Sequence, residues 1–477
     1  CKNEKDWTLA TQTHVLVCYE GLEVQNDIGN SIVSMFVECG DFIKAQQVFE
    51  KLVLTNESSW TSLMNGYVRD GQASHAFNLY EKMQGACIHP SSYTFVSLLN
   101  ACVGLKVVDK GRYVHMQIVK ESFERDIFVG NALVAMYSKL GFMVEAQDAF
   151  DMIPNCDIVS WNSLISGYTE HGSGDEALAC FKQLEMSEEL CPDAVTLACC
   201  MKACGILKDS VNGKNIHMEI VLKGYSGDLL LYTNLIGMYA SCGFLLDARE
   251  VLEKFPVRDV ILWTALLSGY VDQGFSEEAL DCAQRMEMDG VSPNIVTFCC
   301  LLKACGDTNH IDLAKGHSIY MKIIQTGHEK NLLVGNTLVG LYAKHGAFQE
   351  AEYTFHQLVD QNVVSWNALI TGYGEHGSAR QALACFKQMK LQKISPDLMT
   401  YASILKSCGS SGAIGNGQEI HAEIIKRGLE RCSISVGNSL ITMYANCGLI
   451  VEATEVFNDL ELRDVMDSYD ERLCYES

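Results

Sequence analysis

Apolar residues in the segment 158–168 recur with the spacing of one face of an α-helix. They fall at positions i, i+3, i+4 and i+7: Trp161, Leu164, Ile165 and Tyr168. A His-Gly pair then interrupts the pattern, and a second amphipathic stretch with an acidic start follows over 175–186. A Pro-Asp pair closes the segment at position 193. We therefore predict a hairpin of two antiparallel helices over 158–193.

The same pattern recurs along nearly the whole chain. Four of the five tryptophans share one register and lie about 102 residues apart: Trp60, Trp161, Trp263 and Trp366. Each period contains three similar repeats, which in the middle period cover 158–193, 194–228 and 229–259. A constant period is typical of stacked repeats that share one core. The predicted fold is all-α, an α-solenoid whose first helices line one surface and whose second helices line the other.

The repeats divide the chain into seven segments. We expect a partial repeat over 1–25, a short repeat over 26–56, four triplets over 57–157, 158–259, 260–362 and 363–464, and an irregular tail over 465–477. The tail VMDSYDERLCYES shares only its first residue with the repeat that begins VVSWNALITGY.

The motifs SWNSLISGY, EALACFKQL and a terminal PD in 158–193 resemble those of pentatricopeptide repeats. The alternating repeat lengths resemble the P, L and S repeats of the plant-type PLS subclass, and the resemblance covers roughly residues 1–464. On this basis 1–25 is a partial L repeat, 26–56 is an S repeat and each triplet is P-L-S. The tetratricopeptide signature WxxLGxxY is absent. The resemblance implies a right-handed superhelix.

The resemblance also implies sequence-specific binding of single-stranded RNA, with one base per repeat read by two side chains. These are the fifth and the last residue of each P and S repeat. The fifth residues are Asn30, Thr61, Asn131, Asn162, Thr233, Thr264, Asn336, Asn367 and Asn438. The corresponding last residues are Asn56, Ser91, Asp157, Asp193, Asp259, Asn294, Asn362, Asp397 and Asp464.

The family's rule converts these pairs into bases. Asn with Asp favours U, Asn with Asn favours C or U, Thr with Asp favours G, and Thr with Asn favours A. The L repeats carry poor hydrogen-bonding side chains at the fifth position, so their bases stay blank: Val96, Ala198, Cys299 and Ala402. The predicted RNA is 5′-Y-R-n-U-U-n-G-A-n-Y-U-n-U-3′, in which the R opposite Thr61 and Ser91 is the least determined letter.

Two further sets of residues follow from the resemblance and the register. The second residues Val159, Ile261 and Val364 are expected to stack against bases, whereas Ser58 departs from this pattern. Lysines on the predicted first helices are expected to contact phosphates: Lys139, Lys202, Lys303, Lys344 and Lys406. Solvated surface lysines are an equal alternative for this set.

Helix capping is the alternative explanation for the reading positions. Asn and Asp favour helix N-caps and turns, so the last residue of a repeat can be a cap alone. The joint variation of Asn with Thr and of Asp with Asn favours base reading, because capping alone does not require it.

The net charge of the chain favours a class of function other than RNA binding. The chain has 36 basic and 59 acidic residues, a formal net charge of −23, whereas nucleic-acid binders usually show a basic footprint. We expect the acidic residues on second helices and a small salt dependence of RNA binding. The alternative is an acidic helical scaffold that binds a protein partner.

Catalytic and metal-binding signatures are nearly absent from the sequence. His217-Met218-Glu219 and His421-Ala422-Glu423 match half of a zinc deaminase motif, but no PCxxC follows. Both histidines share the register of His14 and His115, so we interpret them as packing residues. The 21 cysteines are interpreted as small buried hydrophobes in a reducing compartment. We therefore predict no enzyme activity, no cofactor and no metal.

The resemblance implies an organellar protein, mitochondrial or chloroplastic, that marks sites of C-to-U RNA editing. Plant PLS proteins often end in E and DYW domains, and this chain carries no complete E or DYW region. The deaminase is therefore expected to be lost by truncation or supplied in trans by a deaminase-bearing or editing-complex protein. RNA stabilisation or splicing is an alternative role. The chain starts at Cys1, so a transit peptide is expected to be missing from it. The sequence contains no apolar run of 18 residues and therefore predicts no membrane span.

Overall fold

The computed structural model describes residues 7–19, 26–52, 54–187, 190–307, 313–428 and 434–458. Throughout these ranges the chain forms α-helices joined by short turns, without any strand. The chain divides into an N-terminal part, 1–251, and a C-terminal part, 252–477. None of the helices in the described ranges is long and apolar enough to cross a membrane.

Helices α1 to α15 begin in the N-terminal part, and α15 crosses residue 251. Their bounds are α1 Trp7–Tyr19, α2 Asn26–Glu38, α3 Phe42–Lys51, α4 Glu57–Arg69, α5 Ala73–Gly85, α6 Ser92–Leu105, α7 Val108–Lys120, α8 Ile127–Leu140, α9 Met143–Asp151, α10 Ile158–Glu170, α11 Gly174–Met186, α12 Ala194–Leu207, α13 Ser210–Leu222, α14 Leu229–Ser241 and α15 Leu245–Lys254. Even-numbered helices are the first helices of the hairpins and odd-numbered helices are the second.

Helices α16 to α26 lie in the C-terminal part and alternate in the same way. Their bounds are α16 Val260–Asp272, α17 Ser276–Met288, α18 Ile295–Asp307, α19 Leu313–Gln325, α20 Leu332–Lys344, α21 Phe348–Gln357, α22 Val363–Glu375, α23 Ala379–Leu391, α24 Leu398–Ser411, α25 Ile414–Lys426 and α26 Ile434–Asn446.

First helices form a continuous stack within each part. In the N-terminal part each even-numbered helix from α2 to α12 packs against the next even-numbered helix, and in the C-terminal part the same holds from α16 to α24. Most also pack against the second helix of their own hairpin, as α10 does with α11. The predicted all-α, α-solenoid fold is therefore confirmed for each part.

The tryptophan register forms the most regular core contact. Trp161 lies edge-on to Phe150 of the preceding hairpin, with ring centroids 4.7 Å apart, and the same contact recurs one and two periods away. The equivalent pairs are Phe49 with Trp60 at 4.7 Å and Phe355 with Trp366 at 4.6 Å. Such aromatic pairs contribute to stability beyond the area that they bury. This contact explains the recurrence of Trp at the join between triplets.

The histidines of the two HxE motifs pack between hairpins. His217 Nδ1 lies 2.9 Å from Tyr239 Oη, and His421 Nδ1 lies 2.8 Å from Tyr444 Oη. His115, which has no glutamate two residues later, makes the same contact with Tyr137 at 3.0 Å. The shared geometry supports the interpretation of these histidines as packing residues.

The cysteines that share one position in the L repeat of each triplet are buried, as predicted. Cys102, Cys204, Cys305 and Cys408 are all at most 3% exposed. Burial raises the pKa of the Cys102 and Cys408 thiols to about 11, so both stay protonated at neutral pH. They therefore pack as small hydrophobic side chains.

A left-handed residue follows the second helix in the Trp-bearing repeats 57–91, 260–294 and 363–397. Gly290 has φ +77° at this position, and the amide of the next residue, Val291, donates to Met286 O at 3.0 Å. This pattern is a Schellman motif, which favours glycine because it has no Cβ. Lys393 adopts φ +61° at the equivalent position, with Ile394 N donating to Met389 O at 3.1 Å. Lys393 is therefore a strained residue in a glycine position.

We predict that Lys393→Gly stabilises the protein by roughly 1 kcal/mol, because a left-handed conformation costs a non-glycine residue about 1–2 kcal/mol. The measurement is the urea midpoint of unfolding. The matched control is Lys387→Gly, an exposed position inside α23, which should lose about 1 kcal/mol. Equal destabilisation by both substitutions would contradict the assignment of strain to Lys393.

Candidate nucleic-acid interface

Within the described ranges, the last residue of each repeat caps the first helix of the next repeat. Asp157 Oδ1 accepts from Ser160 N at 2.9 Å, Asp193 Oδ1 from Thr196 N at 2.9 Å, and Asp397 Oδ1 from Thr400 N at 2.8 Å. Equivalent caps are made by Asn56, Ser91, Asp259, Asn294 and Asn362. The capping alternative drawn from the sequence therefore describes a real role of these side chains.

The fifth residue of the preceding helix binds the same cap. Asn162 Nδ2 donates to both carboxylate oxygens of Asp193, at 3.1 and 3.2 Å. Three further Asn pairs do the same with one oxygen: Asn131 to Asp157 at 3.2 Å, Asn336 to Asn362 at 3.3 Å and Asn367 to Asp397 at 3.0 Å. The structure thus brings together four of the predicted reading pairs.

A hydroxyl group completes this arrangement. The third residue of the following repeat, Thr196, donates from Oγ1 to Asn162 Oδ1 at 2.6 Å. The same contact recurs from Ser160 to Asn131 at 2.5 Å, from Ser365 to Asn336 at 2.6 Å and from Thr400 to Asn367 at 2.6 Å. We call the fifth residue, the last residue and this hydroxyl residue the capping triad. Because a hydroxyl donates to Oδ1, the orientation of each Asn amide is determined.

The carboxylates of the triads are ionised at neutral pH. Burial raises the pKa of Asp157, but hydrogen bonds from Ser160, Asn131 and the backbone outweigh it, so its pKa lies below the ordinary value. The pKa values of Asp193 and Asp397 are also lowered, because hydrogen bonds outweigh burial there as well. In Asp157 and Asp397 the Oδ1 atom takes these bonds, and Oδ2 accepts no hydrogen bond from the part of the chain that the structure describes.

Threonine at the fifth position presents a different group. Thr264 Oγ1 donates to Val260 O at 2.6 Å and contacts Thr297 Oγ1 at 2.7 Å, and Thr297 Oγ1 lies 3.0 Å from Asn294 Oδ1. Since the Thr264 proton is used by a backbone carbonyl, the hydroxyl offers only a lone pair to a ligand. Thr233 Oγ1 likewise donates to Leu229 O at 2.7 Å.

The remaining predicted reading residues differ in their surroundings. Thr61 and Ser91 are joined through the Glu57 carboxylate, to which both hydroxyl groups donate. Asn30 is buried, at 5% exposure, and Asn438 is exposed. Asp464 lies outside the described residues.

An exposed apolar side chain occupies the second position of nearly every repeat. Val159, Ile261 and Val364 are 52%, 47% and 53% exposed, although each begins a helix packed into the stack. The middle and third repeats of the triplets carry exposed apolar residues in the same register, which the sequence predictions did not include although an alignment of the repeats would have shown them. These additional exposed residues are Tyr93, Phe128, Val195, Leu230, Val296, Leu333 and Met399.

A groove of 720 Å³ runs over the first helices α22, α24 and α26. Its lining includes Met399 at the second position, Asn438 at the fifth and Lys406 at the ninth position of their repeats. Glu375 lines the same groove, so its charge is mixed. All five predicted phosphate lysines are exposed: Lys139, Lys202, Lys303, Lys344 and Lys406.

Among residues inside the described helices, acidic residues lie mostly on second helices, as expected. Helix α17 carries Glu277, Glu278 and Asp281 in its first half, whereas the first helices α12, α14, α20 and α24 carry none. Helix α23 is an exception among second helices, because it has no acidic residue. Within the described ranges no group of three or more His, Cys, Asp or Glu side chains is arranged to hold a metal ion.

Comparison with protein-family models identifies the repeats. The model described as the PPR repeat family matches residues 55–104, 258–307 and 361–410, and the model described as PPR repeat matches 131–158, 159–188, 231–260, 336–363 and 438–465. The chain belongs to the pentatricopeptide repeat family.

Curated pentatricopeptide repeat proteins of Arabidopsis thaliana are similar over most of this chain. One named as chloroplastic is 32% identical over 91% of the chain and 49% of its own length, and another is 32% identical over 92% of the chain and 70% of its own length. A relative named as mitochondrial is 29% identical and covers 94% of the chain. The chain spans about half the length of the first of these relatives and of the mitochondrial one, at 49% and 43%.

Solved structures of pentatricopeptide repeat proteins also match. The structure of PPR10 in complex with an 18-nucleotide psaJ RNA element is 18% identical, covers 91% of this chain and 74% of that chain, and has a TM-score of 0.43. The structure of PPR10 from maize has a TM-score of 0.35 and 17% identity, and covers 91% of this chain and 78% of its own.

We predict that Thr196→Val lowers the free energy of unfolding by about 1 kcal/mol, because Asn162 Oδ1 loses its hydroxyl donor while the volume of the side chain is kept. Urea unfolding measures the change. The matched control is Thr169→Val, since the equally buried Thr169 hydroxyl only bonds back to Ile165 O within α10. A loss at Thr169 as large as that at Thr196 would argue against a triad.

The pH dependence of stability tests the Asp193 carboxylate. Folding lowers its pKa, so its contribution is complete above the unfolded-state value of about 3.9 and is lost as pH falls through the lower folded-state value. The stability difference between wild type and Asp193→Asn should therefore be constant above about pH 5 and shrink below about pH 4. Urea unfolding of both proteins from pH 3 to 7 measures it, and a difference that grows toward low pH would contradict the sign.

Proposed function

We propose that the protein binds single-stranded RNA sequence-specifically, with one base per repeat read by the capping triads. The observation that carries this proposal is that an ionised carboxylate caps the next helix with Oδ1 and keeps Oδ2 unoccupied in the triads of Asp157 and Asp397. Capping therefore leaves one strong acceptor for a base. An exposed apolar side chain at the second position of nearly every repeat supplies a surface on which a base can stack.

The hydrogen-bonding groups match the predicted bases. In the triads of Asp157 and Asp397, the Asn amide has a second N–H and the Asp has an unoccupied Oδ2, which suit the carbonyl oxygen and the N3–H of uracil. A Thr-Asn pair such as Thr264 and Asn294 offers a hydroxyl lone pair, which suits the N6 amino group of adenine. These groups support the RNA pattern 5′-Y-R-n-U-U-n-G-A-n-Y-U-n-U-3′ for the pairs from Asn30 with Asn56 to Asn438 with Asp464.

Stacking and phosphate contacts complete the proposed interface. Val159, Ile261 and Val364, with the seven residues of the same register, stack against bases, and the five exposed lysines bind phosphates. The lysines are few and the chain carries a net charge of −23, so most of the affinity comes from the bases. The salt dependence of binding is correspondingly small.

The proposed role is site recognition in organellar C-to-U RNA editing. The P-L-S division of the repeats supports a PLS protein, and relatives named as chloroplastic and mitochondrial support an organelle. A deaminase-bearing or editing-complex protein is the protein partner that this role implies. RNA stabilisation or splicing is the alternative role for the same interface. The net charge of −23 favours a second candidate, an acidic scaffold for a protein partner.

The test is fluorescence anisotropy with a 13-nucleotide RNA carrying the predicted pattern, at about 150 mM salt. Asn162→Thr with Asp193→Asn should move the preference at the matching letter from U to A by tenfold or more, about 1.4 kcal/mol. The same double change leaves the preference at the Asn367 and Asp397 letter unchanged, which is the internal control. Equal weak binding to all RNAs would contradict the proposal and favour the protein partner.

A further inference from the structure

The repeat 57–91 has an acidic residue where the other Trp-bearing repeats have an apolar one. Its first residue is Glu57, and the first residues of the other three are Ile158, Val260 and Val363. The same repeat has Ser91 at its last position, where the others have Asp or Asn. The rule that pairs the fifth and last residues therefore leaves its base least determined.

The Glu57 carboxylate lies at the centre of this repeat's capping triad. Glu57 Oε1 accepts from Thr61 Oγ1 at 2.7 Å and also from Ser91 Oγ. Thr94, the hydroxyl residue of the triad, has Oγ1 at 3.1 Å from Glu57 Oε1 and at 2.8 Å from Thr61 Oγ1. One carboxylate thus contacts all three residues of the triad. Thr61 and Thr94 are buried, at 6% and 0% exposure.

Every hydroxyl proton in this cluster is already used in a hydrogen bond within the protein. Ser91 and Thr61 donate to Glu57, and Thr94 donates either to Thr61 or to Glu57. Each hydroxyl has a single proton, so none remains to donate to a ligand. Glu57 Oε2 accepts no hydrogen bond from the described ranges of the chain. The cluster therefore presents acceptors only, including one carboxylate oxygen.

An acceptor-only site selects among the four bases. On the Watson-Crick edge guanine has two adjacent donors, N1–H and the N2 amino group. Adenine and cytosine each have one amino donor beside an acceptor nitrogen, and uracil has one donor between two carbonyl groups. A carboxylate oxygen facing an acceptor nitrogen or carbonyl would be repelled and left without a partner. Guanine is the base that avoids this loss.

We propose that Glu57 is a third base-reading residue of the repeat 57–91 and that its carboxylate makes this repeat select guanine. Glu57 supplies the carboxylate that Asp supplies from the last position elsewhere, and Ser91 only caps the helix. This inference rests on the proposed RNA-binding function. It resolves the R of the predicted pattern to G.

The repeat 260–294 is the natural comparison, because it also has Thr at the fifth position and Thr as its hydroxyl residue. There the first residue is Val260, and the Thr264 proton goes to the Val260 carbonyl oxygen at 2.6 Å. No acidic side chain at its first position reaches that triad, and its predicted base is A. The two repeats differ at the first and last positions, so exchange of the first residue isolates the effect of the carboxylate.

The experiment measures anisotropy with four 13-nucleotide RNAs that differ only at the letter opposite repeat 57–91. Wild type should bind the G variant at least fivefold tighter than the A variant. Glu57→Gln replaces an acceptor by an amide donor at equal size, so the preference should move to A. Val260→Glu should move the letter opposite repeat 260–294 from A toward G, which does not depend on how Glu57 variants fold.

Glu81→Gln is the matched control, because Glu81 is an exposed acid of the neighbouring helix α5 and should leave every preference unchanged. The letter opposite 158–193 separates this inference from the proposed function. If U is preferred there while G and A bind equally opposite 57–91, or if Glu57→Gln changes nothing, the Glu57 assignment is overturned and the function stands. If no letter matters anywhere, the proposed function itself fails.

Discussion

The structure depends on how the N-termini of the first helices are satisfied. Each helix leaves backbone N–H groups without partners inside the helix, and a stacked array brings many such ends close to neighbouring hairpins. Here the last side chain of one repeat bonds the third amide of the next helix and the fifth side chain of its own repeat, as in Asn162, Asp193 and Thr196. The capping triad therefore determines the register of neighbouring repeats.

The same interaction reconciles the acidic composition with the proposed nucleic-acid binding. Asp126, Asp157, Asp193, Asp228, Asp259 and Asp397 all cap first helices, so part of the negative charge is bound to backbone amides rather than spread over the surface. A carboxylate has two oxygens, and the cap needs one of them. Structural and base-reading roles are thus compatible in one side chain, so capping does not argue against the proposed base reading.

The periodicity of the sequence made the fold predictable, whereas the hydrogen bonds between repeats could not be predicted from it. Apolar spacing in 158–168 predicts the helix that the structure places at Ile158–Glu170, because burial of one face requires a 3.6-residue period. The role of Thr196 could not be predicted from the sequence, because a Ser or Thr near a helix start is common and its partner Asn162 lies 34 residues away. Glu57 was missed because the first position is apolar in the other Trp-bearing repeats, so an acid there looked like a departure without function. The exposed second-position residues Phe128 and Leu230 could have been predicted by aligning the repeats, but they were overlooked.

The most direct test of the account is to remove the second carboxylate oxygen of Asp397, which the cap does not use. Serine caps helices about as well as aspartate but has no second oxygen to offer a base. For Asp397→Ser, the account predicts a folded protein that loses about 1 kcal/mol of unfolding free energy in urea, because Asn367 Nδ2 loses its acceptor, and loss of the preference for U at the letter opposite 363–397. A variant that keeps the full preference for U would contradict the claim that the cap carboxylate reads the base.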